Sequence, residues 1–331
     1  MVASIAAGKS SDGRFIGVAP GANVYALNVN NPAGPRASDV IDALQWVHEN
    51  AQTHNIRVVN LSLGETVASS YLTSALDLAV ERVWASGIVV VASAGNGGAG
   101  EVNFAPANDP LAITVGSSDT KGTRSTSDDR IASFTSTGIT VDGVAKPELI
   151  APGRLIASLL PAGTTLDQLA PAANRIPTGY ATISGTSFSA PQVAGAAAIL
   201  LQRNPGWSPD NVKWALVRRA HDIPYTTLNG LDVEDSLEVS SPGRANQAVL
   251  ALVCAPGSLC LSGSTVASSW NSSSWNSSSW NSSSWNSSSW NSSSWNSSSW
   301  NSSSWNSSSW NSSSWNSSSW NSSSWNSSSW D

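Results

Sequence analysis

Ile88-Val89-Val90-Val91-Ala92 is apolar at five consecutive positions, and this run limits the fold more than any other segment. Successive side chains of a strand point to opposite faces, so a strand apolar throughout must be covered on both sides. Central strands of parallel sheets, with helices above and below, meet that demand. The surrounding sequence agrees. Residues 23–29, 57–63 and 111–115 read as further strands. Between them, Ser38 reads as the cap of a helix with Val40, Ile41, Leu44, Val47 and Ala51 on its apolar side. Residues 71–86 read as a second helix, with Leu72, Leu76, Ala79 and Val83 on one face and Gly87 as its stop. Ser208-Pro209-Asp210 starts a last helix that closes on Arg218 and Arg219, with His221 at its end. Alternating strands and helices predict an α/β domain on a mostly parallel sheet.

Only the first part of the chain has this character. From Trp270 to Asp331 the sequence repeats Trp-Asn-Ser-Ser-Ser without interruption. The expected division is a globular domain over 1–253, a linker over 254–269 that holds Cys254 and Cys260, and the repeat over 270–331. The globular part is long enough to bury a full core. The cysteines flank a Pro-Gly turn and read either as a small disulfide or as two free thiols. A period of five matches neither a helix face nor a strand face, and Ser/Asn-rich sequence is linker material, so the tail is expected to be disordered. Its regularly spaced indoles offer flat faces and N–H donors that suit a carbohydrate, a polymer or a neighbouring chain. A compact solenoid is the other reading of the period. A net charge of −6 without Lys/Arg clusters argues against a nucleic-acid partner, and no apolar run is long enough for a membrane span.

Three segments carry chemistry. Gly185-Thr186-Ser187-Phe188-Ser189-Ala190-Pro191, running into Gln192-Val193-Ala194-Gly195, sets a small serine between a Gly-Thr turn and an apolar helix. Proline is expected in the first turn of that helix, where no N–H is needed. Ser187 then stands at the positive end of a helix dipole, as a nucleophile or as a helix-capping serine. Val90-Val91-Ala92-Ser93-Ala94-Gly95-Asn96 ends a strand on an asparagine that is either an oxyanion donor or a turn residue. Val59-Asn60-Leu61-Ser62-Leu63-Gly64 is a strand whose end leaves main-chain groups for an extended peptide.

In this order the segments resemble the subtilisin-like serine proteases, the subtilases, over about residues 1–250. The resemblance implies a three-layer α/β domain and a serine endopeptidase acting on peptide or protein substrates. Ser187 would be the nucleophile and Asn96 the oxyanion-hole residue. Ser62, Leu63 and Gly64 would align the substrate, with Ser93, Ala94 and Gly95 as the other wall of the primary pocket. Phe134-Thr135-Ser136-Thr137-Gly138 and Lys146-Pro147-Glu148-Leu149-Ile150-Ala151-Pro152-Gly153 resemble family landmarks with turn and packing roles. No cofactor is implied. Structural calcium is frequent in the family, yet no acidic cluster in the sequence assigns it a site. The family's habit also implies secretion.

The family's aspartate and its His-Gly-Thr motif are not found. Met1-Val2-Ala3-Ser4-Ile5-Ala6-Ala7-Gly8 resembles the family's helix immediately C-terminal to that motif, so the domain is expected to lack its N-terminal part. As a signal peptide the segment is too short and lacks a basic start. None of His48, His54 and His221 stands where the motif order places the base, so the chain is expected to be inactive. The alternative is a non-catalytic binding or surface protein on a protease scaffold, with the Trp-rich tail as its working part.

Overall fold

The computed structural model describes residues 1–30, 36–177 and 179–246, together with two short strands, Ser292–Ser293 and Ser307–Ser308. The chain forms two units, Met1–Val249 and Leu250–Asp331. In the second unit, Ser292 pairs with Ser308 and Ser293 with Ser307, antiparallel. Cys254, Cys260, the linker 254–269 and the remainder of the repeat lie outside the described residues.

The first unit is built on a seven-stranded sheet. Strand β1 (Val58–Leu61) pairs in parallel with β2 (Val89–Ser93), β2 with β3 (Ile113–Asp119), and β3 with the strand Leu149–Pro152. Asn229–Gly230 extends the sheet in parallel, and His221–Asp222 closes it antiparallel. Arg130–Ile131 pairs antiparallel with β3. Val89, Val90, Val91 and Ala92 are each 0% exposed, so β2 is covered on both faces, as its composition demands. The helices that contact it are α3 (Ala75–Ala85), the long helix Thr186–Arg203 and Pro209–Arg218. Helix α2 (Ala37–His54) packs on α3, and α1 (Val2–Ala7) on the long helix.

Close packing of α1 depends on Gly195. A Cβ there would stand 2.7 Å from the Val18 side chain and 3.1 Å from the Ala6 carbonyl. At the other end of the sheet, Ser208 caps Pro209–Arg218 in a reciprocal pair with Asn211, and Arg218 closes it.

Five expectations need correction. Residues 23–29 form no strand: no neighbouring edge takes their main-chain groups, and Val24, Tyr25 and Leu27 are exposed. Tyr25 instead leans on α2, its ring 5.0 Å from that of His54 and 6.3 Å from that of Trp46. The cap of α2 is Arg36, whose N–H donates to Asp39, so Ser38 lies inside the first turn. Helix α3 begins four residues later than expected at Ala75, because Ser74 accepts from the Asp77 N–H and caps it there. His54, which the sequence places in a polar turn after that helix, is instead its last residue. His221 does not end a helix; its main chain pairs with Gly230 in the sheet.

At the N-terminal ends of β3 and the strand Leu149–Pro152 lies a buried ion cluster built from the second landmark. Lys146 Nζ donates to Glu148 Oε1 at 2.8 Å and to Thr114 Oγ1 at 2.9 Å. Lys213 Nζ donates to the same Glu148 oxygen at 2.7 Å and to the carbonyls of Pro110 and Ala112. Burial alone would raise the Glu148 pKa, but the two ammoniums outweigh it and hold the carboxyl below its usual value.

Candidate active site

Ser187 is the second residue of the long helix, whose cap is Gly185. Gly185 has φ +148°, a conformation that only glycine adopts without strain, and its N–H donates to the Gly153 carbonyl at 2.9 Å. Ser187 is therefore not the cap. Its own N–H makes no hydrogen bond among the described residues, one of the orphan donors at any helix start. The helix dipole adds partial positive charge at this point.

Pro191 lies in the second turn of this helix, not the first as the sequence suggested. Its ring replaces the N–H that would have bonded to the Ser187 carbonyl four residues back. That carbonyl instead accepts from Ser62 Oγ at 2.8 Å, and Ser62 Oγ accepts from Asn60 Nδ2 at 2.9 Å. The proline thus frees an acceptor that ties the Ser187 backbone to the end of β1. In return Ser187 Oγ donates to the Ser62 carbonyl over 3.4 Å, a long contact to a group that cannot remove a proton.

Asn96 follows the end of β2 and is exposed. Its Oδ1 accepts from the Thr186 N–H at 2.9 Å and from Thr186 Oγ1 at 3.1 Å. Because a backbone N–H can only donate, the bonded atom must be the oxygen, which fixes the flip of the amide. Nδ2 is left as a free donor beside the start of the helix, 3.7 Å from where a Cβ on Gly185 would be. Thr186 Oγ1 also accepts from the Gly95 N–H at 3.2 Å. The Thr186 hydroxyl thereby links Gly95, Asn96 and the start of the helix, while Asn96 Nδ2 and the Ser187 N–H keep no hydrogen-bond partner among the described residues.

The other expected residues gather around this point. Ser62, Leu63 and Gly64 continue β1, and the main chains of Leu63 and Gly64 make no hydrogen bond among the described residues. Their main-chain groups form an unpaired edge among the described residues. Ser93 and Ala94 are buried, with the Ala94 N–H bonded to Val115, and the Gly95 carbonyl accepts from the Ser136 N–H. Sequence reasoning missed Thr186, whose N–H and hydroxyl orient Asn96. Its position directly before Ser187 was the only available signal.

No histidine serves Ser187. His48 Nε2 accepts from Arg82 at 2.8 Å, and its Nδ1 meets Ser86 Oγ at 2.7 Å. Ser86 donates its own proton to the Arg82 carbonyl, so His48 carries its proton on Nδ1. Burial, then the Arg82 charge, lowers its pKa to about 4 and keeps it neutral. The His54 ring stacks on Trp46. His221 is paired into the far side of the sheet.

Comparison with known proteins identifies the family. The model of the subtilase family matches residues 1–237. Serine protease AprX of Bacillus subtilis (strain 168) is 38% identical over 213 residues, which are 62% of this chain and 48% of that protein. Subtilisin Savinase of Lederbergia lenta is 34% identical over 228 residues, 69% of this chain and 71% of the relative. The chain thus spans about half the length of the first of these relatives. Among solved structures, a cold adapted subtilisin-like serine proteinase shares 33% identity at a TM-score of 0.51, covering 70% of this chain and 71% of that one. Fervidolysin from Fervidobacterium pennivorans shares 28% identity at a TM-score of 0.59, covering 73% of this chain and 36% of its own.

Proposed function

The chain belongs to the subtilase family, and on that footing we propose that its chemistry is that of a serine endopeptidase. Ser187 Oγ attacks a peptide carbonyl. Asn96 Nδ2 and the Ser187 N–H receive the oxyanion, and the edge Ser62-Leu63-Gly64 aligns the substrate against Ser93-Ala94-Gly95. The observation that carries this reading is the pair of hydrogen bonds from Thr186 to Asn96 Oδ1, which leaves Nδ2 as a donor beside the start of the helix that bears Ser187. The mechanism needs no cofactor. Proton removal from Ser187 is the missing element, because no imidazole reaches it among the described residues. The chain is therefore proposed to turn over slowly.

Family habit supports an extracellular setting, and no helix among the described residues is long and apolar enough to cross a membrane. The indoles of the tail suit a carbohydrate or polymer surface. The long contact of Ser187 Oγ to a carbonyl favours a second reading, in which the scaffold binds peptides without cleaving them.

Acylation by an activated peptide ester, with free imidazole added as an external base, separates the two readings. Asn96→Ala is expected to lower the maximal acylation rate by about 10²–10³, with half-saturation nearly unchanged, since the lost donor acts on a charge present only in the transition state. Ser187→Ala is expected to abolish acylation. If Asn96→Ala alters only half-saturation, Asn96 is a ground-state contact and the oxyanion role is wrong.

A further inference from the structure

Four aliphatic side chains on two segments stand in solvent: Val67, Leu72, Ile139 and Val141, each between 68% and 72% exposed. Single exposed aliphatics are ordinary, whereas a group held together marks a contact surface. Val67 and Leu72 belong to the segment that joins β1 to α3. Ile139 and Val141 flank Thr140 on the hairpin made by Gly138–Ile139 and Ala145–Lys146. Thr140 is buried, so its two neighbours share the outer face of that hairpin.

Two polar residues fasten these segments to each other. Asp142 accepts from Ser70 Oγ at 2.6 Å through one oxygen and from the Tyr71 N–H at 3.0 Å through the other. The Asn103 carbonyl accepts from the Ser69 N–H at 2.8 Å, and its Oδ1 accepts from the Val141 N–H at 2.7 Å. Tyr71 precedes Leu72 and Asp142 follows Val141, so the carboxylate holds together the backbones that bear these two aliphatics. The surface also continues the substrate edge. Ser62 is bonded to Ser187 in both directions, so Ser62-Leu63-Gly64 begins at the nucleophile and leads away from it. The Glu65 N–H then bonds to the Ala105 carbonyl at 2.8 Å, beside the Asn103 tie, and Val67 follows. From Ser62 to Val67 an extended chain spans at most about 18 Å, the reach of about five substrate residues.

We propose that this surface docks an apolar stretch of an unfolded protein substrate, about five or more residues from the bond at Ser187, an inference that rests on the peptidase reading of that serine. The chemistry of the surface selects the occupant. Both Asp142 oxygens are engaged within the chain, so recognition is by aliphatic contact and not by charge. A folded protein keeps its apolar side chains inside and offers no free strand to the edge. An unfolded one supplies both.

The test compares the full chain with its Leu72→Ser, Val141→Ser double variant, both carrying Ser187→Ala so that nothing is cleaved. The probe is fluorescein-labelled α-lactalbumin kept unfolded by reduction and carboxymethylation, read by anisotropy. Binding is expected to weaken by about tenfold or more in the double variant and to persist in about 1 M NaCl. A labelled tetrapeptide, too short to pass beyond the edge, should bind both chains alike. Equal binding of the unfolded protein by both chains overturns the proposal, as does no binding up to about 0.1 mM. If the chain instead sediments as a dimer that the substitutions dissolve, the surface is a self-contact and the proposal falls. If the double variant does not fold by circular dichroism, Val67→Ser with Ile139→Ser carries the same comparison. Failure of the premise shows elsewhere: acylation by a short peptide ester that survives Ser187→Ala would remove the nucleophile and leave the docking result standing.

Discussion

Replacing Glu148 by Gln is expected to destabilise the domain by about 3–5 kcal/mol, near the limit for a single substitution. Glu148 Oε1 accepts from both Lys146 and Lys213, and Oε2 accepts from the Thr114 N–H. The Lys146 and Lys213 side chains are 1% and 5% exposed, so removing the carboxylate leaves two ammoniums with only the more distant Asp109 carboxylate to offset them. Urea unfolding of the full chain reads the loss. Adding Lys146→Met to Glu148→Gln should recover part of it, because one uncompensated charge goes with it. If Glu148→Gln costs under about 1 kcal/mol, the cluster is already hydrated and the burial argument fails.

Asp77→Asn should have the opposite sign and a pH dependence. Asp77 lies on α3, wholly buried. Burial first, and the neighbouring Asp109 carboxylate second, push its pKa up to about 9. A carboxyl whose folded pKa is raised favours the folded state most below its unfolded pKa, near 4, and that stability drains away as pH rises toward the folded value. Wild type should therefore lose stability between about pH 4 and pH 9 through this group. The asparagine variant, a near isostere of the protonated acid, should match wild type at pH 4 and exceed it by about 4 kcal/mol at pH 7. Parallel unfolding curves at pH 5 and pH 8.5 check this. A gap that does not widen with pH would show that Asp77 is ionised in the folded protein.

Much of the scaffold was legible because the signals were local. Five apolar residues in a row fixed β2 as a central strand, and Ser208-Pro209 marked a helix start in one step. Residues 23–29 misled because strand composition describes a surface fit to be paired, whereas pairing requires a free neighbouring edge. His221 was placed on a helix because periodicity near Arg218 does not report where the chain turns back into the sheet.

At the site, Ser187, Asn96 and Ser62 were readable as members of an ordered set of motifs. What holds them was not. The Thr186–Asn96 bonds join residues 90 positions apart. The freed Ser187 carbonyl became visible only when Pro191 proved to be in the second turn rather than the first.

The central proposal is that Ser187 stands beside oxyanion donors with no histidine in reach of it among the described residues. The rate at which a fluorophosphonate labels the full chain, with the modified residue mapped by mass spectrometry, measures this directly. The account predicts slow labelling confined to Ser187, abolished by Ser187→Ala, accelerated by free imidazole and unchanged when His48, His54 or His221 is replaced by Ala. Fast stoichiometric labelling that disappears on loss of one of these histidines would contradict it.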